Sequence, residues 1–334
     1  MKDMPIPEIK IIKNKIPIIY LDTNALIEFS RYEKGYHTNE HIDKIGTLYD
    51  ILLALMQEKR VLCALGNQLE EMGTSQEREA ARSFLFRFTN AELKTPSQIQ
   101  KMQLKSGYQA FVKNDSTSIF SVSDIVEKSK YMSTSSIDVH VVPVYSAEQL
   151  KKLKQDKEDL AVTLNDVKNS KRVAENYDSQ LKLELEADFQ VFLHILECYN
   201  DSPDGYLNML DALGTVYQRV GVDPRNVSHS DIIKAVNSHN QFLLSSYHHK
   251  LPYVWTCSVL FAHIMQRQNK IIKSDNLDIT WASAYLPFVD YAVTDTAFCN
   301  LLNQLGLAEQ YGTKVYCFKT LNELLEELKT KAMF

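Results

Sequence analysis

The stretch Ile16–Phe29, IPIIYLDTNALIEF, limits the possible folds more than any other part of the chain. Its short apolar run is rich in β-branched residues and shows no polar alternation, the pattern of a strand buried on both faces. Such a strand belongs inside a sheet covered on each side, which points to an α/β fold with a parallel sheet. The run ends in Asp22, and an isolated charge there costs several kcal/mol unless it is hydrogen-bonded, paired or bound to a metal. Asp22 therefore needs company.

The same grammar continues in both directions. TLYDILLALMQEKR spaces Leu48, Ile51, Leu52 and Leu55 as one helical face and ends in basic residues suited to a helix C-terminus. RVLCAL reads as a second buried strand, followed by a helix start at GNQLEEM. Near the other end, LDITWASAYL predicts a helix, DYAVTD a strand, AFCNLLNQLGL a helix, TKVYCF a strand and LNELLEELK a closing helix. Both chain ends are thus predicted to share one open, mainly parallel sheet. The segment between them, residues 96–252, is polar and mostly helical without a repeat, and is read as an insertion. It separates an N-terminal half, residues 1–95, from a C-terminal half, residues 253–334. Within it, DVHVVPVYS suggests an edge strand, and SAEQLKKLKQDKEDLAVTLNDVKNSKRVAENY a solvated helical arm.

Composition narrows the class. The formal charge of −5 over 334 residues excludes a uniformly basic nucleic-acid binder but not a local basic groove. Ten glycines leave little material for phosphate loops. Five cysteines without a C-x-x-C pair argue against a disulfide framework or zinc knuckle and for a reducing, cytoplasmic setting. No run is apolar and long enough to predict a signal peptide or a membrane span.

In an open parallel sheet, ligands bind beyond the carboxyl ends of the strands. Asp22 ends one strand and Asp295 another, so neighbouring strands would bring both carboxylates to one rim. Glu70 and Glu71 follow the strand RVLCAL, and Asp278 is read as opening the helix LDITWASAYL. Converging carboxylates repel one another, and a hard divalent cation such as Mg²⁺ or Mn²⁺ resolves that conflict.

YLDTNALIEF, DITWASAYLPFVDYAVTDTAF and GTKVYCFKTLNELLEEL together resemble a PIN domain, a metal-dependent nuclease family. The resemblance spans roughly residues 16–95 and 255–330. It implies a three-layer PIN-like fold, a ribonuclease-type activity on RNA or single-stranded nucleic acid, and Asp22, Glu71, Asp278 and Asp295 as metal-binding catalytic acids. Asn24 and Thr294 would support them. Glu70 competes with Glu71, because Asn67-x-x-Glu70 also fits a helix capping box.

Several simpler roles stand beside these. Asp22 and Asp295 both suit helix or turn capping, and Asp290 reads as structural. Arg267, Lys270 and Lys273 are spaced as one helix flank, either gripping phosphates or simply solvated. The adjacent pair His248-His249 reads as a surface feature, since neighbouring helix residues do not face one site. A PIN-like module that binds nucleic acid or protein without cutting is the alternative function, supported by Thr294-Asp295-Thr296, which lacks a second carboxylate. A haloacid-dehalogenase-type phosphatase would need Asp where Asn24 stands. The insertion would serve as a substrate lid, a dimer or protein-partner interface, or a sensor that restrains the nuclease.

Overall fold

A computed structural model describes residues 8–36, 40–68, 84–85, 88–129, 147–170, 173–200 and 229–332. They contain the strands β1 (Glu8–Ile12), β2 (Ile18–Leu21), β3 (Leu62–Leu65), β4 (Ala91–Leu93), β5 (Thr117–Ser121), β6 (Val126–Ser129), β7 (Tyr291–Val293) and β8 (Lys314–Tyr316). Six strands form one sheet in the order β6-β4-β3-β2-β7-β8, while β1 pairs with β5. From β4 to β8 all neighbours run parallel, and β6 is antiparallel to β4. The fold is therefore mixed α/β with a mainly parallel sheet. No helix among the described residues is long and apolar enough to cross a membrane.

The chain divides into two compact units. The sheet unit comprises Ile11–Pro96, Ser121–Leu164 and Ile271–Phe334; the other, mostly helical, comprises Met1–Lys10, Ser97–Phe120 and Asn165–Lys270. The insertion thus returns part of itself, including β6, to the sheet unit. Helix Pro252–Gln266 lies in the helical unit. The strand suggested for residues 138–146 lies outside the described residues. Helix Ala147–Asn169 leaves Leu160 and Val162 exposed, as a solvated arm would.

All four residues of β2 are buried, and the packing on each face explains why the run does not alternate. Ile19 and Leu21 join a core with Leu26 and Phe29 of helix Thr23–Glu33, Leu48 and Leu52 of helix Ile42–Gln57, and Leu324 and Leu328 of helix Leu321–Ala332. Tyr20 points to the opposite face. There its ring stacks on Trp281 of helix Lys273–Tyr285, with centroids 4.9 Å apart and planes inclined by 19°. Tyr285, one helical turn later, lies 5.4 Å from the same ring. Gly66, just past β3, is fitted to this arrangement: a Cβ there would meet the Tyr285 ring at 2.6 Å.

The helical unit has its own aromatic core. Phe242 packs against Tyr108 and Phe111, and Phe111 also meets Tyr247.

Candidate functional site

The strand order places a reversal at the middle of the sheet. From β2 the chain proceeds through β3 to β4 on one side, and from β7 to β8 on the other. Ligands of open α/β sheets settle beyond the carboxyl ends at such a point. β2 and β7 pair directly, with Leu21 opposite Val293, so the residues that follow them share one rim. The backbone ladder reaches that rim: the Asp22 N–H donates to the Val293 carbonyl at 2.9 Å.

Asp22 is 5% exposed. It caps helix Thr23–Glu33, its Oδ1 accepting from the Ala25 amide at 2.9 Å. Its Oδ2 accepts from the backbone N–H of Asp295 at 3.2 Å. Burial pushes its carboxyl from an ordinary 3.8 up to about 6. The Ala25 amide and the nearby Thr294 hydroxyl oppose that rise, while the Asp295 carboxylate adds to it. The Thr294 hydroxyl is itself buried and lacks a well-formed hydrogen bond. Among the described residues, no Lys or Arg forms an ion pair with Asp22.

Asp295 is partly exposed and caps the next helix, Thr296–Gln304. Its Oδ1 accepts from Ala297 and Phe298 amides at 2.8 and 3.0 Å. Its Oδ2 takes no hydrogen bond among the described residues. Two helices thus begin at neighbouring strand ends, and their N-terminal partial charges favour anions at this rim. The capping roles foreseen for both acids are present, together with a close pairing that capping alone does not require.

No family model matches the chain, and no curated protein or solved structure matches it either.

Other residues singled out in the sequence fall in different places. Asp278 does not open its helix. The helix begins at Lys273; Asp275, its third residue, reaches back so that its Oδ2 accepts from the Ile272 N–H at 2.7 Å, and Asp278 sits in the second turn, partly buried. Among the described residues, no group of three or more His, Cys, Asp or Glu side chains is disposed to hold a metal. Asp22 and Asp295 thus come together without a third such ligand among the described residues. Glu70 and Glu71 lie outside the described residues. Asn24 is exposed on the first turn of its helix, and Thr294, directly before Asp295, is buried with its hydroxyl near the Asp22 carboxyl.

The basic flank is corrected as well. Helix Pro252–Gln266 ends before Arg267, Lys270 lies in the connecting segment, and Lys273 starts the next helix. The Arg267 guanidinium donates to the Lys270 carbonyl, and Lys273 lies 3.9 Å from Glu158. His248 is not a surface residue. It is fully buried, and its Nε2 lies 3.1 Å from the Asp188 Oδ2, because the short helix Ser246–His249 packs its ring against Phe242.

Gln68 escaped the sequence reading, and Asn67 was read there only as part of a helix cap. Gln68, fully buried, donates its Nε2 to the carbonyls of Leu21 and Ala64, bridging the ends of β2 and β3. Asn67 accepts from the Tyr20 hydroxyl at 2.7 Å. Two adjacent amides directly after a buried strand were the available signal, since buried amides demand partners.

Among the described residues, the rim presents one desolvated carboxylate with no Lys or Arg paired to it and a neighbouring carboxylate that keeps an oxygen without a hydrogen bond. Oxygen ligands of this kind are those Mg²⁺ and Mn²⁺ favour.

Proposed function

We propose that the chain is a divalent-metal-dependent nuclease that hydrolyses phosphodiester bonds of RNA or single-stranded nucleic acid. The observation that carries the reading is the buried Asp22 carboxyl, lifted to about 6 beside Asp295 where the strand order reverses. The resemblance of the flanking segments to a PIN domain, with its three-layer fold, supports the same conclusion.

Asp22 and Asp295 would hold Mg²⁺ or Mn²⁺, with Asp278 and Glu71, or Glu70 in its place, completing the acidic set that the resemblance implies. When bound, the cation supplies Lewis acidity and lowers the pKa of attacking water. The chain's own groups supply orientation. Ala25 and Asp295 amides fix the two oxygens of Asp22, and Ala297 and Phe298 amides fix one oxygen of Asp295. Gln68 ties together the strand ends beneath them. The two helix N-termini favour an approaching phosphate. Arg267, Lys270 and Lys273 are proposed to contact the nucleic-acid backbone, as separate cations rather than as one helix flank.

Incubation of single-stranded RNA with Mn²⁺ and the wild-type chain, beside Asp22→Asn and Asp295→Asn, tests this. Cleavage by the wild type and its loss in both variants, with circular dichroism unchanged, is the expected result. Equal cleavage by all three proteins would remove the assignment.

A binding module that does not cut is the second reading. It is favoured by the helix caps that both acids make and by the lack of a third ligating side chain among the described residues. That module would retain RNA in chelator and leave it intact at every metal concentration.

A further inference from the structure

The helical unit contains a cavity of about 170 Å³ that the nuclease reading does not use. For scale, a cavity of about 150 Å³ in another protein accommodates benzene. One wall comes from helix Pro252–Gln266, where Val254, Ser258 and Phe261 recur at i, i+4 and i+7 and Tyr253 flanks them. The facing wall carries Glu184 at the end of one helix and Ala187 and Asp188 at the start of the next. His248 also lines the space.

Among the described residues, Glu184 and Asp188 line the cavity and neither Lys nor Arg does. Burial raises the Glu184 carboxyl, which accepts one hydrogen bond, from the Gln180 amide at 2.7 Å. Burial also raises the Tyr253 phenol, next to Asp188 and Cys257, so it remains a neutral hydroxyl. The fully buried His248 bonds to Asp188 through Nε2, while its Nδ1 has no hydrogen-bond partner among the described residues. A buried ring nitrogen without a partner, on the wall of an acidic cavity, leaves a polar group for a ligand to satisfy.

We propose that this cavity is a binding site for a small organic cation, an ammonium or guanidinium compound with a short apolar body. Glu184 and Asp188 would receive the charge, a guanidinium matching carboxylates through paired hydrogen bonds. Tyr253 and Phe261 offer aromatic surface of the kind cations prefer, and Val254 covers the apolar body. The site is independent of the nuclease reading, since every lining residue belongs to the helical unit.

Calorimetric titration of the full chain with butylguanidinium and with its uncharged isostere butylurea tests the site. The expected result is saturable binding of one butylguanidinium per chain, with butylurea at least tenfold weaker. Glu184→Gln, which removes charge, and Ala187→Leu, which fills space without changing charge, should each weaken butylguanidinium at least tenfold. Should either variant fail to fold, the other variant and the butylurea comparison still decide. No saturable binding, equal affinity for the two probes, or undiminished binding by folded variants would overturn the proposal.

Discussion

The two ends of the central strand pair β2–β7 solve the same local problem with opposite electrostatics. At the amino end, Asp290 precedes β7 and its Oδ2 accepts from the Ile18 N–H of β2 at 2.8 Å. At the carboxyl end, Asp22 follows β2 and its Oδ2 accepts from the Asp295 N–H after β7. Each aspartate fastens one strand to its neighbour. The amino end also has a cation close by. Lys13 donates to the Val289 carbonyl and the Thr313 hydroxyl, and Asp290 raises its pKa against a burial that lowers it to about 8. At the carboxyl end the neighbour is another carboxylate, and Asp22 is lifted instead. The aspartate at the amino end has a cation near it, whereas the one at the rim has a second carboxylate instead, and the proposed cation site rests on that difference.

The largest expected effect lies at the uncompensated end. Asp22→Asn or Asp295→Asn should lower Mn²⁺-dependent RNA cleavage by on the order of a hundredfold or more, since even outer-shell partners of a metal are worth roughly ten- to a hundredfold. An Asp290→Asn protein assayed alongside should cut at close to the wild-type rate.

Stability should move the other way. Folded Asp22 holds its proton to about pH 6, whereas the unfolded side chain releases it near 3.8. Its contribution is therefore fully present below about pH 4 and lost as the pH rises to about 6; above that, burying the charge costs roughly 3 kcal/mol. Metal-free Asp22→Asn keeps an acceptor for the Ala25 amide but loses the one for the Asp295 N–H, so its stability relative to the wild type should rise by up to that amount between about pH 4 and pH 7.5. Urea unfolding across this range measures it, and a difference that does not change with pH would mean the charge is compensated after all.

The amino end should respond with the opposite sign. Asp290→Ala strands the Ile18 amide and removes the charge opposite Lys13, so it should destabilise by about 1–3 kcal/mol. A neutral result there would break the contrast between the two ends.

Smallest of all are the exposed cations. Lys273 and Glu158 are about half exposed, and their pair should contribute less than about 1 kcal/mol. Lys273→Gln should leave stability nearly unchanged yet reduce the salt slope of RNA binding by about one contact, as should Arg267→Gln. An unchanged slope in both would move the nucleic-acid track elsewhere.

Much of the sheet could be read from residues alone. The apolar runs at β2 and β3 announced buried strands and DYAVTD a further strand, and the pairing of β2 with β7 then brought Asp22 to Asp295. The short strands β4 and β6 gave no such signal: AEL and VEKS are too brief and polar, and only pairing at the sheet edge makes them strands. The start of helix Lys273–Tyr285 was misjudged because Lys273 was read with Arg267 and Lys270 as a preceding helix flank, whereas Asp275 closes the first turn of the helix that Lys273 begins. His248 depends on Asp188, 60 residues away in sequence, and no local pattern reports such a partner. Gln68 is similar, its amide being satisfied by carbonyls of two strands that become neighbours only in the fold.

Titration of Mn²⁺ at pH 7.5, followed by electron paramagnetic resonance on wild type and Asp22→Asn, tests the cation site most directly. Free-ion signal suppressed by the wild type and restored by the substitution is the predicted result. Identical titrations of the two proteins, with or without bound ion, would contradict it.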